Sequence, residues 1–204
     1  MKVVKDVVLY DFDGTIYKKD SFITFLIYAI PTWKLIFSFL IFIPTLVKMI
    51  VRLKSNEESK QRIFCYFFKG MDIKVFDDIC TKYQRKIDNN VSNILKLKIK
   101  QNQDFQQIIV SASISNWIIP WAKANNIDHV IATEIEVDKY GKITGNFATK
   151  NCNKEEKVNR IKRYFENKEV VFAEAYGNSK SDFPMFTLAK SAFLVEKDKL
   201  MKFK

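Results

Sequence analysis

Histidine and cysteine are scarce in this 204-residue chain. The single histidine, His129, excludes a His-rich zinc site and argues against a Ser-His or Cys-His nucleophile pair. The three cysteines are odd in number and have no CxxC spacing, so they predict a reducing compartment without a disulfide framework. Neither a GxGxxG nor a GxxxxGK[ST] stretch occurs, which leaves dinucleotide-binding and P-loop activities without support.

Long apolar runs are also interrupted. Residues 21–53 are strongly apolar, but Pro31, Lys34, Pro44 and Lys48 break them, so they lack the roughly 20 consecutive apolar residues of a transmembrane helix. Two helices joined near Pro31 are predicted instead. Burial in the core and a position at a membrane interface both stay open, because aromatic residues and flanking lysines suit the second. The first strand begins almost at the N-terminus, which leaves no room for a signal peptide and predicts a cytoplasmic protein.

The charge of the chain is strongly positive. A formal net charge of +11 favours phosphate-rich partners: nucleic acid, anionic lipid headgroups or phosphorylated small molecules. The plainer alternative is a lysine-rich surface that only solvates the fold, since the lysines are spread along the chain. Nucleic acid ranks last because no recognisable binding motif accompanies the charge. A hydrophobic content of 48% nevertheless predicts a folded protein.

The periodicity of the chain changes twice. Both ends alternate short β-branched runs with helical patterns, which predicts a parallel sheet with right-handed crossovers. The middle, from Asn56 to about Lys100, is helical, with helix starts at Asp72 and Ser92. The predicted strands are 7–10, 108–110, 130–132, 170–173 and 192–195, with a hairpin over 134–144 and helices over 115–124, 155–165 and 182–189. We therefore expect an α/β fold: a Rossmann-like parallel sheet core (1–16 and 103–204) with an inserted all-helical domain (17–102).

The most informative local feature is the segment Asp11–Thr15, DFDGT, directly behind the first strand. Two carboxylates one residue apart repel each other unless a cation or a shared proton lies between them. An acidic turn is the plain alternative, since Asp and Gly are common in turns. Three further features follow strands or begin helices: Ser111, Lys157 and the segment Gly177–Asp182. The carboxyl ends of parallel strands are where open α/β sheets place their chemistry.

This ordered set resembles the haloacid dehalogenase superfamily, specifically its phosphoserine-phosphatase-like branch, over essentially the whole predicted core. The resemblance implies a Mg²⁺-dependent phosphomonoester hydrolase that acts through an aspartyl phosphate. Asp11 would attack phosphorus, and Asp13 would protonate the leaving oxygen and later take a proton from water. The phosphate-binding residues implied are Thr15, Ser111, Ala112 and Lys157. The metal ligands implied are Asp11, Asp13, Asn178 and Asp182.

One position departs from the family pattern, which usually has Gly-Asp where this chain has Gly177–Asn178. A neutral amide oxygen is a weaker magnesium ligand than a carboxylate, so a catalytically weakened member that only binds phosphate ligands or membranes is one alternative. The substrate is a second open question. Asp20-Ser21-Phe22 and the apolar stretch after it resemble the start of the helical cap in bacterial phosphatidylglycerophosphatase C. A lipid phosphate, with peripheral contact to the inner face of an anionic membrane, and a small phosphoserine-like phosphomonoester are both compatible with the sequence.

Overall fold

The computed structural model describes residues 5–38, 56–166 and 168–204. The strands are β1 Lys5–Tyr10, β2 Gln106–Ile114, β3 His129–Thr133, β4 Ile135–Val137, β5 Ile143–Phe147, β6 Val170–Gly177, β7 Ser191–Glu196 and β8 Lys199–Lys202. The helices are α1 Ser21–Ala29, α2 (residues 32–38), α3 Asn56–Phe68, α4 Ile73–Asp88, α5 Asn93–Gln101, α6 Ser115–Ala124, α7 Glu155–Tyr164 and α8 Phe183–Phe186, with a 3₁₀ turn at Lys180–Asp182 before α8. The chain is thus an α/β protein, as expected.

The described strands build a six-stranded sheet in the order β3-β2-β1-β6-β7-β8, and β4 and β5 pair separately. β1 lies in the middle, parallel to both β2 and β6. Its residues alternate between two hydrophobic clusters, with Val7 and Leu9 on one face and Val8 and Tyr10 on the other, all fully buried. Burial on both faces explains why this strand is an unbroken apolar run.

The sheet extends further than the sequence predicts. β8 pairs antiparallel with β7, so the strand at 192–195 does not close the sheet. β8 was missed because its sequence, KLMK, alternates without β-branched residues and only one of its side chains is half-buried. β2 also continues past Ser111 to Ile114, with a register shift between these two residues. The helix predicted over 182–189 is wrong in its bounds, since a 3₁₀ turn and the four-residue α8 replace it.

The helical middle of the chain agrees with prediction where the structure describes it. The side chains of Asp72 and Ser92 accept hydrogen bonds from the amides of Lys74 (2.9 Å) and Leu95 (3.3 Å), so both predicted helix starts are N-caps. The boundaries at residues 17 and 102 stay predictions. Both ends of α5 bond to residues of the sheet or its last hairpin, Ser92 to Asp198 and Asn102 to Glu174, which favours an earlier end of the insertion.

The apolar segment after residue 21 is divided between core and surface. In α1, Phe22 and Phe25 are buried, and the Phe25 ring stacks on Trp117 of α6 at 4.5 Å. Ile23 and Ile27, on the opposite face, are 55% and 64% exposed. The expectations for residues 39–53, including Pro44 and Lys48, lie outside the described residues. Among the residues that are described, no helix combines the length and the apolarity needed to cross a membrane.

Candidate active site

Asp11 lies at the carboxyl end of β1, where its amide donates to the carbonyl of Tyr176 in β6 (2.8 Å). The side chain is only 9% exposed. One carboxylate oxygen accepts a hydrogen bond from Lys157 Nζ at 2.6 Å, and the other accepts from Thr15 Oγ1 at 2.8 Å. Burial raises the pKa of Asp11 to about 6, although the neighbouring ammonium of Lys157 acts in the opposite direction.

Lys157 joins two carboxylates from different parts of the chain. Its Nζ lies 2.6 Å from Asp11 Oδ1 and 2.6 Å from Asp182 Oδ1, and the side chain is 1% exposed. The residue belongs to the first turn of α7, so the helix carries it beneath the end of β1. Burial alone would lower the pKa of Lys157, but the two carboxylates outweigh it and raise the pKa above its usual value. The ammonium is therefore a permanent charge at this site.

Asp182 is satisfied entirely by donors of the protein. Its second oxygen, Oδ2, accepts from the amides of Asn178 and Ser179, each at 3.1 Å, and from Ser179 Oγ at 3.2 Å. These bonds close the loop between β6 and the 3₁₀ turn, where Ser179 and Asp182 form a capping box. With its other oxygen on Lys157, this carboxylate has the contacts of a residue that positions its neighbours.

Asp13 has a different set of partners from Asp11. Its Oδ2 accepts a hydrogen bond from Ser113 Oγ, and its Oδ1 accepts from the amide of Ser21 at 3.0 Å. Ser21 Oγ in turn donates to Ser113 Oγ (2.9 Å) and accepts from the indole of Trp117 (3.0 Å). Burial raises the pKa of Asp13 above the ordinary value, against the hydrogen bond from Ser113. A carboxyl that holds its proton more tightly is suited to act as an acid.

Sequence reasoning missed Ser113 and Ser21, the two residues that bind Asp13. Ser113 follows the predicted site residue Ser111 by two positions on β2, and the alternation of strand side chains was a signal that could have suggested it. Ser111 Oγ accepts from the amide of Ser113 at 3.1 Å and is 1% exposed, whereas Ala112 between them is half-buried. Ser21 gave no signal, because it acts through its main-chain amide.

Asn178 lies against the Asp11–Thr15 loop. Gly14 has a φ of +76°, and a Cβ placed on it would come within 2.0 Å of Asn178 Nδ2. Glycine is needed here both for the left-handed backbone and for the close approach of the Asn178 side chain. The exposed Asn178 thus faces the main chain that links the two aspartates.

Two charged residues of the helical insertion lie near Asp13. Asp20 is the N-cap of α1, with Oδ1 accepting from the amide of Ile23 at 3.0 Å, and its negative charge adds to the rise in the pKa of Asp13. Lys60 of α3 places its ammonium 5.7 Å from the centre of the Phe22 ring, and its positive charge acts on Asp13 in the opposite direction. One acidic and one basic side chain therefore border this side of the site.

The oxygen donors at this site are of the kind that Mg²⁺ prefers. Among the described residues, no three His, Cys, Asp or Glu side chains are grouped to hold a metal. A cation here would rest on the carboxylate of Asp11, the main-chain carbonyl of Asp13 and the amide oxygen of Asn178. Asp11 and Asp182 carry two negative charges against the single positive charge of Lys157. The residues therefore fit a divalent cation in charge and in donor chemistry.

Comparison with known proteins identifies the family of the chain. The haloacid dehalogenase-like hydrolase family matches residues 8–187. Protein CicA of Caulobacter vibrioides is 26% identical over 186 residues, which cover 89% of this chain and 82% of CicA. A solved structure of a protein with unknown function from Bordetella pertussis has a TM-score of 0.78 at 16% identity, covering 93% of this chain and 89% of that one.

A phosphoserine phosphatase solved as a phospho-aspartyl intermediate analogue is also similar in fold. Its TM-score is 0.56 at 20% identity, with 93% of this chain and 85% of that chain covered. This likeness is one of fold. Because the family match covers residues 8–187, which are most of the chain and include all the site residues described above, the chain belongs to the haloacid dehalogenase-like hydrolase family.

Proposed function

We propose that this protein is a Mg²⁺-dependent phosphomonoesterase that forms an aspartyl phosphate on Asp11. The observation that carries the proposal is that the two aspartates have separate hydrogen-bond partners. Asp11 is held by Lys157 and Thr15, whereas Asp13 is held by Ser113 and Ser21. Two carboxyls with separate partners can take separate roles, nucleophile and acid.

In the first step, an oxygen of Asp11 attacks phosphorus while the bond from phosphorus to the ester oxygen breaks. Asp13 gives its proton to that leaving oxygen. In the second step, Asp13 takes a proton from a water molecule whose oxygen attacks phosphorus, and the acyl-phosphate bond to Asp11 breaks to release phosphate. In this mechanism Lys157 neutralises charge next to Asp11, and the hydroxyls of Thr15 and Ser111 donate to phosphoryl oxygens, with Thr15 giving up its hydrogen bond to Asp11.

Asp11, the Asp13 carbonyl and Asn178 are the residues proposed to hold Mg²⁺. When bound, the cation would neutralise the charge of a dianionic phosphoryl group as it meets a site that carries net negative charge. Asp182 is assigned here to positioning, because four protein donors already occupy its two oxygens.

The activity is tested with p-nitrophenyl phosphate. We expect Mg²⁺-dependent release of phosphate that EDTA abolishes and that Asp11→Asn lowers by at least about a thousandfold, since the variant lacks the nucleophile. Asp6→Asn is the matched control, because Asp6 is exposed at the other end of the same strand. Full activity in Asp11→Asn would contradict the mechanism.

We further propose a lipid phosphate, such as phosphatidylglycerophosphate, as the substrate. α1 begins at Ser21, beside Asp13, and its outer face carries the exposed Ile23 and Ile27. Within residues 32–38 the exposed apolar side chains continue: Trp33, Ile36 and Phe37 are each more than 60% exposed. Apolar side chains that start one helical turn from the site suit a substrate with acyl chains.

A basic rim accompanies these apolar side chains. A groove of about 400 Å³ beside Ile27 is lined by Lys19 and Lys86 as well as by Tyr28 and Tyr83. Lysines next to exposed apolar and aromatic residues complement an anionic bilayer surface. We therefore propose peripheral contact with anionic membrane through α1 and residues 32–38.

The membrane contact is tested by co-sedimentation with vesicles. We expect binding to phosphatidylglycerol vesicles and little binding to phosphatidylcholine vesicles, with Ile27→Glu reducing it about tenfold. Val75→Glu is the matched control, because Val75 is similarly exposed (53%) on α4. Equal binding by both variants, together with turnover of phosphoserine but not of phosphatidylglycerophosphate, would favour the soluble-substrate alternative.

Asn178 favours a second candidate function, a weakened member that binds phosphate ligands or membranes without turnover. In that case the native chain is inactive and Asn178→Asp restores hydrolysis. An active native chain would rule this candidate out.

A further inference from the structure

The chain passes twice between the sheet and the helical insertion. The first crossing is residues 16–20, which directly follow the Asp11–Thr15 loop, called the catalytic loop below. The second crossing is residues 88–92, between α4 and α5. Two main-chain hydrogen bonds of 2.9 and 2.8 Å join the crossings, which form an antiparallel bridge at Tyr17 and Val91. The position of one crossing therefore sets the position of the other.

A single carboxylate at the far end of the sheet binds both crossings. Asp198, in the turn between β7 and β8, forms an ion pair with Lys18 through Oδ2 and accepts from Ser92 Oγ through Oδ1 at 2.5 Å. Although burial acts in the other direction, these contacts hold the pKa of Asp198 below its usual value. The residue is thus a charged tie between the last hairpin and both crossings.

The turn that presents Asp198 is conformationally costly. Lys197 and Asp198 have φ values of +48° and +62°, and they form a two-residue turn between the paired residues Glu196 and Lys199. Glycine, asparagine and aspartate are the residues that such turns favour, and glycine is the usual residue at the second of the two positions, where Asp198 stands. A carboxylate at a position that glycine would fill more easily indicates that its contacts matter.

The first crossing leads directly into the catalytic loop. The amide of Tyr17 donates to the carbonyl of Phe12 (2.9 Å), and the amide of Gly14 donates to the carbonyl of Tyr17 (2.6 Å). Behind the loop is a cavity of about 390 Å³, bordered by Gly14 and Thr15 on one side and by Asp198 on another. Because this side of the loop faces a cavity, its position there depends on hydrogen bonds and ion pairs.

We propose that Asp198 is a positioning residue for the loop that carries Asp13 and Thr15. It acts through Lys18 and Ser92, which hold the two crossings, and it does not touch the reacting atoms. Its effect on turnover rests on the phosphatase activity proposed above, whereas its effect on the loop does not. Loss of the tie is expected to loosen the loop, and errors of about 1 Å in catalytic geometry cost up to about a hundredfold in rate.

Asp198→Gly is the decisive variant, because it removes the carboxylate and relieves the positive φ at the same time. Lys197→Gly relieves the same kind of backbone conformation one residue earlier and leaves the tie intact, so it is the matched control. In Asp198→Gly we expect amide exchange in residues 12–18 and 88–92 to become about tenfold faster, with an unchanged or raised Tm. For p-nitrophenyl phosphate we expect kcat to fall about five- to fiftyfold with a smaller change in KM. Lys197→Gly should match the native protein in exchange and kinetics.

Lys18→Met and the double variant test whether the two residues act together. If Asp198 works through Lys18, the fall in kcat in the double variant is no larger than that in the stronger single variant, because the second change removes an interaction that is already broken. Exchange in Asp198→Gly equal to that in Lys197→Gly would overturn the proposal, as would faster exchange with unchanged kcat. Amide exchange can be measured without turnover. An inactive native chain would therefore refute the proposed function, while the exchange result would still show whether Asp198 holds the loop in position.

Discussion

Lys157→Met removes the ammonium that lies 2.6 Å from both Asp11 and Asp182. The variant keeps the length of the side chain and leaves two buried carboxylates without a counter-charge. At an effective dielectric constant of about 20, each contact at this distance is worth about 6 kcal/mol of gross Coulomb energy. Desolvation offsets most of that, and breaking a buried pair typically costs about 3–5 kcal/mol net.

The upper end of that range applies because both carboxylates lose the same partner. A loss of about 5 kcal/mol in the free energy of unfolding lowers Tm by about 10–20 °C for a chain of this size. Urea unfolding at pH 8, followed by circular dichroism, measures the loss. Lys162→Met is the control, since Lys162 is exposed on the same helix.

The pH dependence of the loss is equally specific. In the native protein the pKa of Asp11 is raised from 3.8 to about 6, so its folded state binds the proton more tightly than the unfolded state and stability is lost as pH rises through that window. Without Lys157 the pKa rises further, and the penalty becomes larger and extends to higher pH. The difference in the free energy of unfolding between Lys157→Met and the native protein should therefore increase from pH 5 to pH 8.

Two results would refute this reasoning. One is a loss in the free energy of unfolding below about 1 kcal/mol at pH 8, and the other is a loss that does not change between pH 5 and pH 8. A second substitution provides an internal check: adding Asp182→Asn to Lys157→Met removes one of the two unpaired carboxylates, so the double variant should be more stable than Lys157→Met.

Three further outcomes follow from the site. Gly14→Ala should lower both Tm and kcat, because the added Cβ would lie 2.0 Å from Asn178 Nδ2 and the backbone at residue 14 has a φ of +76°. Differential scanning fluorimetry and steady-state kinetics check this, and unchanged values would contradict it. Asn178→Asp should tighten activation by Mg²⁺ in a titration of activity, since a carboxylate is a stronger ligand than an amide. Burial raises the pKa of Asp11, the proposed nucleophile, so kcat/KM should fall at acidic pH as this carboxylate becomes protonated, and higher Mg²⁺ should move the fall to lower pH because the cation favours the charged form; a fall that does not move with Mg²⁺ would be incompatible with that role.

The local features of this chain could be predicted because short-range chemistry decides them. The first strand is an apolar run whose two faces are both buried, and its neighbours in the sequence, Asp11 and Thr15, must lie near each other. Asp72 and Ser92 cap helices through their own side chains, which a sequence pattern reveals. The α/β class followed from the same periodicities.

The partners of the site residues could not be predicted, because they come from distant parts of the chain. Asp13 and Ser113 are 100 residues apart, and Asp11 and Lys157 are 146 apart. Their contacts depend on strand register and on how α7 packs beneath the sheet. β8 was likewise missed because a pairing partner, and not its own composition, makes it a strand.

The sequence by itself determined which residues are proposed to carry the chemistry: the aspartates behind β1, a serine on the next strand of the chain and a lysine in the first turn of a helix. Only the tertiary structure decided how that chemistry is divided. In the fold, Asp11 accepts hydrogen bonds from Lys157 and Thr15, and Asp13 accepts them from Ser113 and Ser21. Asp182 accepts a hydrogen bond from the main chain of the loop that contains Asn178. The physical reason is that residue type sets the charge and donor character of a side chain, whereas burial and neighbours set its pKa and its partner.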